Sequence, residues 1–137
     1  MSSIRTEARQ EDAQLVVQLC QFLMQSGANR GTGVVCREDF PQDYHEFEER
    51  FPLGTDERSQ VHALCGFHET VATLWKHGLI AEDLLFDWLA ADLVWENVEG
   101  ILLGMRADEE EPRLWENFEA LAGAQERRNA AIAAVAG

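Results

Sequence analysis

The sequence predicts an all-α protein, a small bundle of about five helices around a central helix. Apolar residues recur at three- and four-residue steps over residues 61–121, which is the spacing of helices that bury one face. Gly78, Asp108 and Pro112 interrupt this pattern at points where turns are expected. No stretch alternates apolar and polar residues as a half-buried strand does. The length of 137 residues predicts a single helical domain over residues 1–137.

The first predicted helix covers residues 7–25, and its apolar face includes Leu19. Residues 28–38 follow, and the sequence leaves them open between a weak helical turn and a loop. Gly31 and Gly33 lie in this segment, and each glycine costs a helix about 1 kcal/mol relative to alanine. The segment is therefore the least determined part of the predicted bundle.

Two helices are predicted in the middle of the chain. The first covers residues 40–51, where Pro41 suits the first helical turn. The second covers residues 56–77, with Thr55 or Asp56 as its N-cap. Basic residues followed by Gly78 are typical of a helix C-terminus, so this second helix is expected to end there.

The central helix is predicted at residues 81–106, and acids such as Glu82 favour its N-terminus. It is apolar on two sides, which is typical of a helix that lies between neighbours. Pro112 is expected to open the last helix, over residues 112–128. The alanine-rich residues 129–137 either extend that helix or fray.

The charge distribution is strongly acidic, with a formal net charge of −14. Twelve Asp and Glu side chains lie between residues 79 and 119, where only Arg106 and Arg113 oppose them. Such a surface repels phosphate backbones and anionic lipid headgroups, because binding to either needs clusters of Lys and Arg. The sequence therefore predicts no direct nucleic-acid binding and no membrane association.

Cysteine usage and the start of the chain indicate a cytoplasmic protein. The three cysteines are widely spaced and form no C-x-x-C pair, as is typical of a reducing compartment. The first residues lack the basic flank and apolar stretch of a secretory signal. Residues 84–105 are long enough to span a bilayer, but they contain four acids, each costly in a membrane.

One group of residues could bind a metal. His62, Cys65 and Glu69 are spaced so that they share a helix face, and His45 on the preceding short helix is a further donor. Against this, Cys65 belongs to an apolar stripe, where a free cysteine behaves as a small hydrophobe. The pattern favours a packed face, and no cofactor is expected.

Catalytic signatures do not stand out in the chain. It has no Gly-x-Ser-x-Gly elbow and no complete phosphate-binding loop around Gly31 and Gly33. His68 lies in the core-facing stripe of its helix, where a histidine carries a proton, binds a ligand or hydrogen-bonds a backbone carbonyl. The last role is the commonest. The sequence therefore favours a protein without enzymatic activity.

The tryptophans predict self-association. A helix that is apolar on two sides in so small a protein can leave one face for a second subunit. The candidate interface residues are Trp88, Trp95 and Trp115, together with the acids Glu96 and Glu99. A homodimer is expected on this basis.

Two functions remain open. The first is a protein-interaction or scaffold module whose acidic surface, including residues 108–111, selects a basic protein partner. The alternative is a sensor or minor enzyme with a metal or small ligand inside the bundle.

Several segments also resemble a bacterial family without assigned activity, domain-of-unknown-function family 4760. The resemblance extends from about Leu19 to Ala122 and rests on QFLMQSGANRG, FPQDYHEF, FHETVATLWKHGLIAEDLLFDWL, VWENVEGIL and PRLWENFEALA. It implies a small helical protein, sometimes joined to a membrane segment in relatives. It implies no catalytic or ligand-binding residue.

Overall fold

A computed structural model describes residues 3–137, and all regular structure in that part of the chain is helical. The seven helices are α1 (Gln10–Gln25), α2 (Ala28–Val35), α3 (Tyr44–Arg50), α4 (Asp56–Lys76), α5 (Glu82–Trp88), α6 (Ala91–Asp108) and α7 (Glu116–Ala136). The all-α class is therefore confirmed, although the described residues form more helices than the five expected. None of these helices combines the length and apolar character that crossing a membrane requires.

Residues 28–35, which the sequence left open, form the helix α2. Gly31 lies so close to α4 that a Cβ atom there would be 2.8 Å from the Cβ of Leu64 and would also meet the Gln60 carbonyl. The glycine thus lowers helix propensity but permits a close contact between α2 and α4. Packing against α4 stabilises a helix that its own sequence would not.

The prediction of one central helix over residues 81–106 is wrong, because the chain leaves helical geometry at Leu89 and Ala90. The amide side chain of Gln125, from α7, occupies this break. Its Oε1 accepts a hydrogen bond from the Ala91 N–H at 2.7 Å, and its Nε2 donates to the Leu89 carbonyl. Gln125 is buried, so it satisfies two backbone groups that water does not reach.

The last helix also differs from its predicted bounds of 112–128. Residues 112–115 form turns, and α7 begins at Glu116 and continues to Ala136. The chain takes a left-handed conformation at Trp115, with φ of 64°, so Pro112 cannot start a continuous helix. The smaller differences are that α1 begins at Gln10 and α3 covers only Tyr44–Arg50.

α4 takes the central position that was expected of residues 81–106. It contacts α1, α2 and α7. Phe118 of α7 joins the layers, since its ring stacks on His68 of α4 and meets Trp95 of α6 edge-on. All seven helices contribute buried residues to the core.

The segment before α1 fastens the α4–α5 connection. Its Arg5 and Thr6 carbonyls accept hydrogen bonds from the first amides of α5. The Arg5 guanidinium also binds both carboxylate oxygens of buried Asp12, at 2.8 and 2.7 Å. This pairing lowers the pKa of the Asp12 carboxyl to about 2.

Candidate functional site

The four predicted metal ligands lie in different surroundings. Cys65 is buried in the core, and burial raises the pKa of its thiol to about 12, so the thiol stays protonated. His62 lies on the exposed side of α4. His45 is exposed on α3, with its Nε2 3.3 Å from the Glu49 carboxylate.

Glu69 has a structural task at the start of α7. Its Oε1 accepts from the Asn117 N–H at 3.0 Å, and its Oε2 accepts from the Phe118 N–H at 2.9 Å. Trp115, at the N-cap position, supplies no side-chain cap, so a carboxylate from α4 takes that role. Burial raises the pKa of the Glu69 carboxyl, and the two amide bonds act against that rise.

Within residues 3–137 the structure forms no group of three or more His, Cys, Asp or Glu side chains able to hold a metal ion. The metal hypothesis for His62, Cys65, Glu69 and His45 therefore has no common centre in this part of the chain.

His68 lies in the core, where it is only 2% exposed. Its Nδ1 is 2.9 Å from the Leu64 carbonyl oxygen, and its Nε2 has no hydrogen-bond partner among the described residues. The ring stacks on Phe118 at 4.8 Å and meets Phe67 edge-on at 5.4 Å. Burial lowers the pKa of the imidazole to about 4, so it is neutral at pH 7.

The interface candidates do not form one surface. Trp95 lies in the core against Phe118, and Trp88 is half-buried with its ring against Phe67. Glu96 and Glu99 are exposed on α6. Trp115 is also buried, and it lines a cavity together with residues of α3, α4 and α6.

This cavity, which we name the Trp115 groove, has a volume of about 550 Å³. Residues of α3, α4 and α6 and of two connections line it: Phe47, Leu53, Gly54, Arg58, Ser59, Val61, His62, Ala63, Cys65, Ile101, Leu102, Met105, Glu109 and Trp115. Its floor is formed by buried apolar side chains, whereas Leu53 at its edge is 84% exposed. Its volume lies within the range of about 300–1,000 Å³ typical of ligand pockets.

Trp115 is held in place from several sides. Its backbone is left-handed, which is strained for a bulky residue and persists only where neighbours enforce it. Its Nε1–H donates to the Met105 sulfur at 3.4 Å, and the His62 ring meets its indole edge-on at 5.8 Å. The Glu69 cap fixes the two residues that follow Glu116. The groove therefore has a rigid aromatic wall.

The polar groups of the groove differ in how far they are already paired. Arg58 donates to the Phe51 carbonyl at 3.3 Å, lies 4.0 Å from Glu48 and covers the Phe47 ring. Glu109, at the end of α6, is exposed and belongs to the acidic run 108–111. The groove thus opens beside a concentration of negative charge.

Three sequence candidates, His62, Cys65 and Trp115, share this groove, although they were selected for other reasons. Leu53, Arg58 and the other lining residues were missed. The groove draws on three helices and two connections, so no local motif marks it. The acidic run was the one signal that pointed to this region.

The structure defines a small all-helical protein with an apolar groove. The chain belongs to the family described as domain of unknown function (DUF4760), whose model matches residues 8–125. The family assignment confirms the resemblance seen in the sequence. No curated protein and no solved structure matches the chain.

Proposed function

We propose that this protein is an interaction module that binds an apolar segment of a basic partner protein in the Trp115 groove. The observation that carries the proposal is the position of Glu109, which lines the groove and also belongs to the acidic run 108–111. A partner segment with an apolar side chain next to a positive charge would therefore place the side chain in the groove and the charge beside the acidic run.

The groove supplies the apolar part of such an interaction. Binding energy in protein interfaces concentrates in a few side chains that fill well-packed pockets. The wall at Trp115 and the buried floor are already ordered, so binding of a side chain there should cost little free energy for reordering the protein. Leu53 is exposed at the edge, where a bound segment would cover it.

The acidic run supplies selectivity. All four of its side chains are exposed, and Glu111 accepts from the Arg113 N–H at 3.1 Å. Charges at the edge of an interface mainly raise the association rate and make it sensitive to salt. A basic partner is therefore favoured over a neutral or acidic one.

The proposal is tested with two matched model peptides that share a Leu/Trp anchor, one flanked by Lys and the other by Glu. Binding is followed by amide chemical shifts of the labelled protein. We expect the Lys peptide to shift residues around Trp115 and Leu53 and to bind more weakly as salt increases. Equal binding of both peptides, or shifts located elsewhere, contradicts the proposal.

Two substitutions sharpen this test. Glu109→Gln should weaken binding of the Lys peptide by about two- to fivefold, which is the effect expected from the loss of a partly exposed charge pair. Glu99→Gln is the control, because Glu99 is also exposed on α6 but does not line the groove. If both substitutions have equal effects, overall charge and not the groove explains binding. Leu53→Ser should weaken binding without loss of folding, since Leu53 is exposed.

The groove volume specifically favours one second function, the binding of a small apolar ligand. Native mass spectrometry of protein purified without an affinity metal distinguishes the two. A retained organic mass that Ala63→Phe removes would support a small ligand. Bare protein that binds the Lys peptide would support the interaction module.

The homodimer predicted from the tryptophans stays a prediction. The core position of Trp95 means that a dimer would need another surface.

A further inference from the structure

A groove on α1, far in sequence from the Trp115 groove, carries exposed apolar side chains and no charge. We name it the α1 groove. It has a volume of about 360 Å³ and is lined by Val17, Cys20, Gln21, Met24 and Gln25. Val17 is 57% exposed and Met24 is 64% exposed. No part of the described chain covers these two side chains.

The α7 tail, residues 129–136, is the second such surface. It continues α7 past the packed part of the helix, and every residue from 129 to 137 is exposed. Ile132 is 53% exposed and Val135 is 88% exposed, and the other residues are mainly alanines. Asn129 at its base donates to the Asp92 carboxylate at 3.1 Å, and beyond Asn129 the tail presents a slender, exposed apolar helix.

Charge decides which surfaces two copies can bring together. Each copy carries a formal net charge of −14, so contacts between acidic faces are repulsive. Residues 13–29 contain no charged side chain, and neither do residues 129–137. The α1 groove and the α7 tail can therefore meet without placing acids opposite each other.

We propose that two copies of this chain pair reciprocally, with the α7 tail of each copy in the α1 groove of the other. The narrow, alanine-rich tail suits the face of α1 that carries Val17 and Met24, since small residues let helices approach closely. One such contact is small against the roughly 1,200 Å² that a stable interface buries. Reciprocal exchange makes the contact twice, as two-fold symmetry requires.

The base of the tail is held on α5. Arg128 lies 3.4 Å from Asp87 of α5 and covers the Phe86 ring. Trp88 of α5 packs against Phe67 of α4, and Phe67 also contacts Phe22 of α1. The contacts between the base of the tail and α1 are therefore indirect, through α5 and α4.

The test uses two single charges at exposed positions, Met24→Glu in the groove and Val135→Lys in the tail. A small interface is weak, so the dimer should form only at high concentration. Sedimentation of the unaltered chain at about 100 μM should show it. Each variant alone should be a monomer at that concentration, because both of its contacts would bury a charge. Unchanged circular dichroism shows that the variants fold.

Mixing the two variants is the decisive step. A mixed dimer contains one unaltered contact and one in which the carboxylate introduced into the groove faces the ammonium group introduced into the tail. Because these charges are opposite, native mass spectrometry should show the mixed species. Pairing of α1 with α1, or of tail with tail, gives no such rescue. A monomeric unaltered chain, dimeric single variants or the absence of a mixed dimer each overturns the proposal.

Leu79→Glu is the matched control, because Leu79 is 59% exposed and lies outside both surfaces. It should remain dimeric. The Trp115 groove shares no residue with this interface, so a negative result here leaves the peptide-binding proposal untouched, and the reverse also holds.

Discussion

Residues 116–125 and residues 129–136 belong to the same helix, α7, and differ in almost every contact that they make. The first half is fixed by side chains of other helices, through the Glu69 cap and the Phe118 stack on His68. It also supports other helices, since the Gln125 side chain hydrogen-bonds to the backbone at the break between α5 and α6. The second half is helical and exposed throughout.

The difference shows that helical geometry and tertiary anchoring are separate properties. An alanine-rich segment continues an existing helix at little cost, because each added residue gains a hydrogen bond without a new nucleus. Stability of the whole protein, in contrast, depends on buried contacts. Substitutions in the first half should therefore lower the free energy of unfolding, and substitutions in the second half should leave it nearly unchanged.

The largest effect is expected from Gln125→Met, which keeps the size of the side chain but removes its amide. The Ala91 N–H and the Leu89 carbonyl would lose their buried partner, at a cost of about 4 kcal/mol in the free energy of unfolding. Urea unfolding measures this. A cost below about 1 kcal/mol would mean that water reaches the break and that Gln125 is not its main support.

The next effect concerns pH and His68. Burial lowers the pKa of this imidazole from 6.5 to about 4, so between these values the unfolded chain holds a proton that the folded chain does not. Stability due to His68 is complete above pH 6.5 and falls by about 3 kcal/mol as the pH decreases to 4. Urea unfolding at several pH values should show this decrease.

His68→Phe is the matched variant, because phenylalanine can pack against Phe118 without titrating. It should lose the part of the decrease between pH 6.5 and 4 that belongs to His68. Asp12, whose pKa is lowered to about 2 from 3.8, acts below that window. An identical pH profile for the variant would show that His68 is not buried as described.

A smaller effect is expected from Glu69→Ala. The substitution leaves the Asn117 and Phe118 amides without an acceptor, and loss of a helix cap costs about 0.5–2 kcal/mol. Glu69→Gln should cost less, since its side chain keeps one acceptor oxygen. Thermal unfolding ranks the three proteins. Equal stability of all three would contradict the role of Glu69 as the cap of α7.

The smallest effect is expected from deletion of residues 129–137. No buried contact is lost, so the free energy of unfolding should change by less than about 0.5 kcal/mol at concentrations where the protein is monomeric. Urea unfolding of dilute protein tests this. A large loss of stability would place the tail within the packed fold.

Prediction from sequence worked where local pattern and packing agree. The apolar periodicity of α1 and α4 was sufficient to predict the all-helical class and these two helices. Of the two N-cap candidates for α4, Thr55 accepts from the Arg58 N–H at 3.4 Å. These features depend on residues within a few positions of each other.

Prediction failed where a distant residue decides local geometry. The apolar period continues through Leu89 and Ala90 without a glycine or proline. Helical geometry nevertheless ends there, where the Gln125 amide hydrogen-bonds to the Leu89 carbonyl and to the Ala91 N–H. Trp115 takes a left-handed conformation that its residue type disfavours, since Glu69 and Met105 fix what surrounds it. The Trp115 groove could not be predicted for the same reason, because its walls come from three helices and two connections.

Amide hydrogen exchange along α7 tests the division of this helix most directly, when it is measured on dilute and on concentrated protein. Residues 117–125 should exchange slowly at both concentrations, because only global unfolding exposes them. Residues 129–136 should exchange fast in dilute protein and become protected as the concentration increases and the tail docks on a second copy. The account would be contradicted by equal protection of both halves, or by a tail whose exchange rate does not change with protein concentration.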